Sequence, residues 1–74
     1  MDNTRYDIVL EGYGNNRIAT IKAVRALTGM GLKDARDAVE NTPTVLLRSL
    51  SKTQARQAMG PLKEAGASVT VRRK

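Results

Sequence analysis

Over residues 5–11 apolar and polar side chains alternate, with Tyr6, Ile8 and Leu10 on one side and Arg5, Asp7 and Glu11 on the other, broken only by Val9. A period of two predicts a half-buried strand with Arg5, Asp7 and Glu11 outward. Gly12, Gly14, Asn15 and Asn16 then form a turn whose asparagines can cap the unpaired N–H groups of a helix beginning near Arg17. Through Leu27 the apolar residues occupy two stripes: Thr20, Ala23, Val24 and Leu27 on one, Ile18 and Ile21 beside Arg17, Lys22 and Arg25 on the other. A single amphipathic helix needs only one stripe for its core, so the second is either additional core or a surface with a use.

Thr28, Gly29, Met30 and Gly31 break this helix, because glycines supply the backbone freedom needed at a helix end and at the next helix's entry. A second helix is expected over 32–40, with Leu32, Ala35 and Val39 at i, i+3 and i+7 and with Lys33, Asp34, Arg36 and Asp37 outward; Asn41 and Pro43 end it. The short apolar stretch 45–50 reads as a strand. Ser51 with Gln54 three residues later forms a capping box that starts a third helix at Lys52, and Gly66 stops it. Pro61 lies inside that helix, where it removes the bond to the Gln57 carbonyl at a cost of about 3 kcal/mol, so a kink or restart is expected there. Alternation returns over 68–72, with Val69 and Val71 inward and Thr70 and Arg72 outward.

The predicted order is therefore β-α-α-β-α-β. With three strands the economical packing sets all three helices on one face of a three-stranded antiparallel sheet, an α+β two-layer sandwich. No internal repeat, linker or low-complexity stretch divides the 74 residues, which are read as an N-terminal extension over 1–4 and one module over 5–74.

Composition narrows the chemistry. Sixteen Val, Ile and Leu residues must make most of the core, and a chain this short buries only about 60% of its unfolded surface. Cys and His are absent from the sequence, which removes an imidazole base, a thiolate nucleophile and the usual zinc sites. Most enzyme readings end there, and no catalytic residue, cofactor or metal is expected. No disulfide is available, and a reduced, cytoplasmic setting fits best. The longest apolar run, Val45, Leu46 and Leu47, falls far short of the roughly 20 residues that span a bilayer.

Two weaker motifs have ordinary explanations. Gly12-Tyr13-Gly14 follows a strand and precedes a helix, but Arg17 stands at the third glycine position of a dinucleotide loop and no βαβ unit follows. Asp34, Asp37 and Glu40 lie at helical spacing, with Lys33 and Arg36 near enough to pair with them on the surface.

Asn16-Arg17-Ile18-Ala19-Thr20-Ile21-Lys22-Ala23-Val24-Arg25, followed by Thr28-Gly29-Met30-Gly31-Leu32-Lys33-Asp34-Ala35-Arg36-Asp37, closely resembles the C-terminal domain of the bacterial ribosomal stalk protein family. The likeness continues through Val39-Glu40, Pro43, Ser51-Lys52, Ala55 and Glu64-Ala65-Gly66-Ala67, and so covers roughly residues 5–74. It implies the same β-α-α-β-α-β sandwich and a non-enzymatic module that recruits translational GTPases, initiation and elongation factors among them, to the ribosome. It also implies a contact surface on the first two helices: Arg17, Ile18, Ile21, Lys22, Arg25, Leu32, Lys33 and Arg36. An apolar spot among cations there would suit a partner with acidic groups around an apolar patch. The isolated module is expected to be a monomer or a weak dimer.

The chain departs from that family in four respects. It starts almost at the first strand, without the dimerisation segment and hinge that tether the stalk protein, which implies an excised domain or a stand-alone relative. Residues 41–74 hold seven cations against one anion, and this accounts for the whole net charge of +6. Such a basic end would attract phosphate backbones, with Arg56, Arg72, Arg73 and Lys74 as the contacts, so a basic accessory protein binding nucleic acid or a ribonucleoprotein, of viral or mobile-element origin, is the alternative function. Pro61 replaces the good helix formers usual in the family. Thr20 stands where an apolar residue is usual, and its hydroxyl would be satisfied by bonding back to its own helix.

Overall fold

The computed structural model describes residues 3–74. Of the expected N-terminal extension, Met1 and Asp2 lie outside the described residues. The elements are β1 (Tyr6–Gly12), α1 (Arg17–Thr28), α2 (Leu32–Glu40), β2 (Thr44–Leu50), α3 (Lys52–Glu64) and β3 (Ser68–Arg73). The strands form one antiparallel sheet in the order β2-β1-β3, so the first strand is central. A single core joins Ile8 and Leu10 of β1 to Ile21 and Val24 of α1, Ala35, Ala38 and Val39 of α2, Leu46 of β2, and Ala55, Ala58 and Leu62 of α3. The predicted α+β sandwich and its element order are those of the molecule.

Local chemistry sets the helix ends. The Asn16 side chain accepts from the Ala19 N–H at 3.0 Å and starts α1, which closes at Gly29 in the left-handed conformation (φ 75°). Ser51 and Gln54 form both bonds of the capping box on α3. At the other end Gly66 (φ 81°) donates to Lys63 O and Ala67 donates to Leu62 O, a paired closure that satisfies two terminal carbonyls. This turn is packed against the β1–α1 loop, where Gly14 (φ 61°) approaches so closely that an added Cβ would collide with the Gly66 carbonyl.

Three expectations are corrected. The restart at Pro61 does not occur, since α3 is one helix from Lys52 to Glu64. Gly60 precedes the proline and has no Cβ to meet the ring, and Gln57 and Pro61 lie on the exposed side, where water can reach the freed carbonyl. Asp7 points away from the helices as expected but is only 2% exposed, because it sits on the central strand between the edges of β2 and β3. In the α2 stripe, Ala38 is buried with Ala35 and Val39, while Leu32 stays at the surface. Thr20 is fully buried, and its hydroxyl donates to the Asn16 carbonyl one turn back at 2.8 Å, as its position required.

β2 is irregular. Its register against β1 shifts twice, between the pairs Tyr6–Leu50 and Ile8–Leu47 and again before Val9–Val45, and Ser49 takes a positive φ of 58°. The shift beside Ser49 aims its N–H at the Asp7 carboxylate, 3.0 Å away.

Candidate functional site

The left-handed turn at Gly29 folds α2 back along α1, and the two helices pack through Ile21, Val24, Ala35 and Val39. With α1 in this phase, Arg17, Ile18, Lys22 and Arg25 come to lie beside Leu32 and Arg36 of α2. Together with Ile21 they line a shallow depression of about 300 Å³. Seven of the eight residues expected to form a contact surface are thus brought together.

Their roles differ. Ile18 is 64% exposed and Leu32 45%, so both present carbon surface to solvent. Ile21 is 6% exposed and belongs to the core, which corrects its assignment to an open surface stripe: α2 covers it, and it forms the floor of the depression. Lys33, the eighth residue, is not part of the lining and pairs with Asp37 one turn along α2, at 3.6 Å.

The cations are also unequal. Arg17 forms an ion pair with Glu40 that ties the start of α1 to the end of α2. Lys22, Arg25 and Arg36 make no ion pair among the described residues, and their charge is open to a partner. Lys22 and Arg25 also line a neighbouring depression of about 400 Å³ with Ala26, Gly29 and Met30, and so form the ridge between two hollows. Met30 escaped the sequence reading because it lies between two glycines in a helix break, outside any periodic stripe. Two of the three carboxylates on α2 serve as ion-pair partners, Asp37 for Lys33 as expected and Glu40 for Arg17 rather than Arg36, while Asp34 makes no ion pair among the described residues.

The second basic set does not share a surface. Arg72 and Lys74 turn to the helix-free side, 3.4 and 3.9 Å from the Asp7 carboxylate, and Lys74 also donates to the Ser49 hydroxyl at 3.0 Å. Arg56 lies on α3, in a different groove. Arg73 pairs across the sheet with Tyr6 and, by strand alternation, is on the helix side. Val71, expected inward, is on that same side but 38% exposed, because β3 is an edge strand that α3 covers only in part.

No helix of the described residues is long and apolar enough to cross a membrane. The chain matches the family described as ribosomal protein L7/L12 C-terminal domain over residues 6–72. Large ribosomal subunit protein bL12 of Campylobacter lari is 52% identical over 71 residues, which is 96% of this chain and 57% of that protein. The proteins of the same name from Oleidesulfovibrio alaskensis and Pasteurella multocida are each 49% identical, again over 96% of this chain and over 56% and 58% of their own lengths. The chain therefore spans somewhat more than half the length of these relatives.

Proposed function

The chain belongs to the ribosomal protein L7/L12 C-terminal domain family, a non-enzymatic component of the ribosome, and on that footing we propose that it recruits translational GTPases through the α1–α2 face. The observation that carries this reading is the joining of two exposed apolar side chains, Ile18 and Leu32, to three unpaired cations, Lys22, Arg25 and Arg36, around one depression. An acidic patch with an apolar knob on the factor would seat Ile18 and Leu32 at a dry centre and pair its carboxylates at the rim. The module works in the cytoplasm, at the ribosome.

Covering Ile18, which has about two-thirds of its surface free, contributes roughly 1–2 kcal/mol at the usual value for a buried aliphatic side chain. Ile18→Ala is therefore expected to weaken binding of a purified initiation or elongation factor by about 5- to 30-fold. The double reversal Lys22→Glu/Arg25→Glu should abolish measurable binding while the far-UV spectrum and thermal midpoint stay near wild type. Titration calorimetry reads both outcomes, and unchanged affinity in the double variant removes this face from the assignment. Ile21 is unsuitable as a probe because its loss opens the core. Nucleic-acid contact through the basic half has less support, since Arg72 and Lys74 are turned toward Asp7 and away from Arg56.

A further inference from the structure

A second groove, of about 440 Å³, lies along α3 and shares no residue with the α1–α2 depression. Tyr6 of β1, Ala55 and Met59 of α3, and Val71 of β3 provide its apolar lining. Its edge carries Lys52, Arg56 and Lys63, and the wall is low at Gly60, where no side chain rises. The groove exists because the sheet is wider than the helix over it. Leu10 and Ile8 of the central strand are completely buried beneath the helices, whereas Val71 of the edge strand is left partly bare.

The charges around this groove are unsatisfied. None of Lys52, Arg56 and Lys63 makes an ion pair among the described residues, and Glu64, the one anion of residues 41–74, is not in the lining. Lys52 and Arg56 are one helical turn apart and Lys63 two turns further on, so the cations bracket the apolar centre over about 16 Å of helix axis. Carboxylates at both ends and carbon in the middle would complement that order.

The lining decides between classes of partner. A phosphate backbone would satisfy the cations and leave Met59 and Val71 facing water, and Tyr6 alone, half-buried against the core, is no stacking platform. A second copy of the chain carries the same net charge of +6, and its exposed apolar side chains Ile18 and Leu32 stand among cations; its carboxylates without an ion pair among the described residues, Glu11, Asp34 and Glu64, do not line that apolar spot. We propose that the α3 groove is a second protein-docking site, independent of the α1–α2 face, which takes an acidic peptide segment of a partner. One or two of its large apolar side chains rest on Met59 and Val71, and its carboxylates reach Lys52, Arg56 and Lys63.

The test uses the 74-residue chain, isotope-labelled for two-dimensional amide NMR, and three probes. The first is a short synthetic peptide with two leucines four residues apart and glutamates on either side; the second has the leucines replaced by serine at equal charge; the third is a single-stranded RNA of similar charge. The first peptide is expected to shift the amides of α3, Tyr6 and Val71 saturably and to leave those of Ile18, Lys22 and Leu32 in place. Loss of the leucines should weaken binding by about tenfold or more, as for losing a buried aliphatic contact. Val71→Asp and Lys52→Glu/Arg56→Glu should each lose the site, while Lys22→Glu/Arg25→Glu keeps it, which separates failure here from failure of the factor-binding reading. Wild-type shift mapping stands by itself should a variant unfold. Equal binding of the serine peptide or of RNA, shifts confined to α1–α2, concentration-dependent self-association through α3, or no saturable shift up to millimolar peptide would each overturn the proposal.

Discussion

Asp7 is held by three residues distant in sequence, and its ionisation follows from them. The Ser49 N–H bond is the strongest influence and favours the carboxylate; burial opposes it; the Arg72 guanidinium and the Lys74 ammonium then add to the first effect. The carboxyl is thereby kept below its usual range. The folded state then binds its proton less readily than the unfolded state does. The resulting stabilisation is complete above the ordinary carboxyl range, declines as pH falls toward the folded-state value, and is absent below it. Asp7→Asn should lower the urea midpoint at neutral pH and flatten its acid dependence, with wild type and variant converging at the acidic end. Parallel curves for the two proteins would show that Asp7 has no such role. Alternation along β1 gives the direction of Asp7 but not its burial, because the register shift beside Ser49 and the ends of β3 are brought to it only by the folded sheet.

At the scale of elements, α3 carries a helix breaker without breaking. The exposed side takes the freed Gln57 carbonyl, and Gly60 removes the clash that a Cβ before proline would cause. This accommodation leaves the missing hydrogen bond uncorrected, so Pro61→Ala should stabilise the fold by about 1–3 kcal/mol. For a domain of this size that corresponds to a rise in Tm of about 4–8 °C per kcal/mol. Gly60→Ala should change sign with its neighbour: destabilising beside Pro61, and stabilising by up to about 1 kcal/mol in the Pro61→Ala background. Additive midpoints in a double-mutant cycle would refute the coupling. The ends of α1 and α3 were legible to within about a residue or two because caps are local: Asn16, Ser51 with Gln54, and Gly66 act on backbone groups a few positions away. The split of the contact stripe into an exposed Ile18 and a buried Ile21 was not legible, since both sit on one helix face and only the arrival of α2 decides which is covered. The groove along α3 was hidden for the same reason, being made from three elements whose separate patterns each read as ordinary core edge.

Charge acts on the molecule as a whole. All of the +6 net charge comes from residues 41–74, yet six cations without an ion pair among the described residues gather on two separate surfaces, Lys22, Arg25 and Arg36 on one and Lys52, Arg56 and Lys63 on the other. A partner approaching either surface meets the summed field before it meets any side chain, and a positive field speeds encounter with an acidic surface without strengthening the docked complex. Screening confines that influence to about 8 Å at physiological ionic strength. Lys63→Gln/Arg73→Gln, remote from the α1–α2 depression, should therefore slow association of a factor at low salt by about two- to fivefold while leaving dissociation unchanged. The difference from wild type should vanish as salt is raised. Lys22→Gln/Arg25→Gln, at the contact itself, should speed dissociation at every salt concentration. Stopped-flow measurements across ionic strength separate the two patterns, and a faster off-rate in the remote variant would mean that Lys63 or Arg73 touches the bound factor.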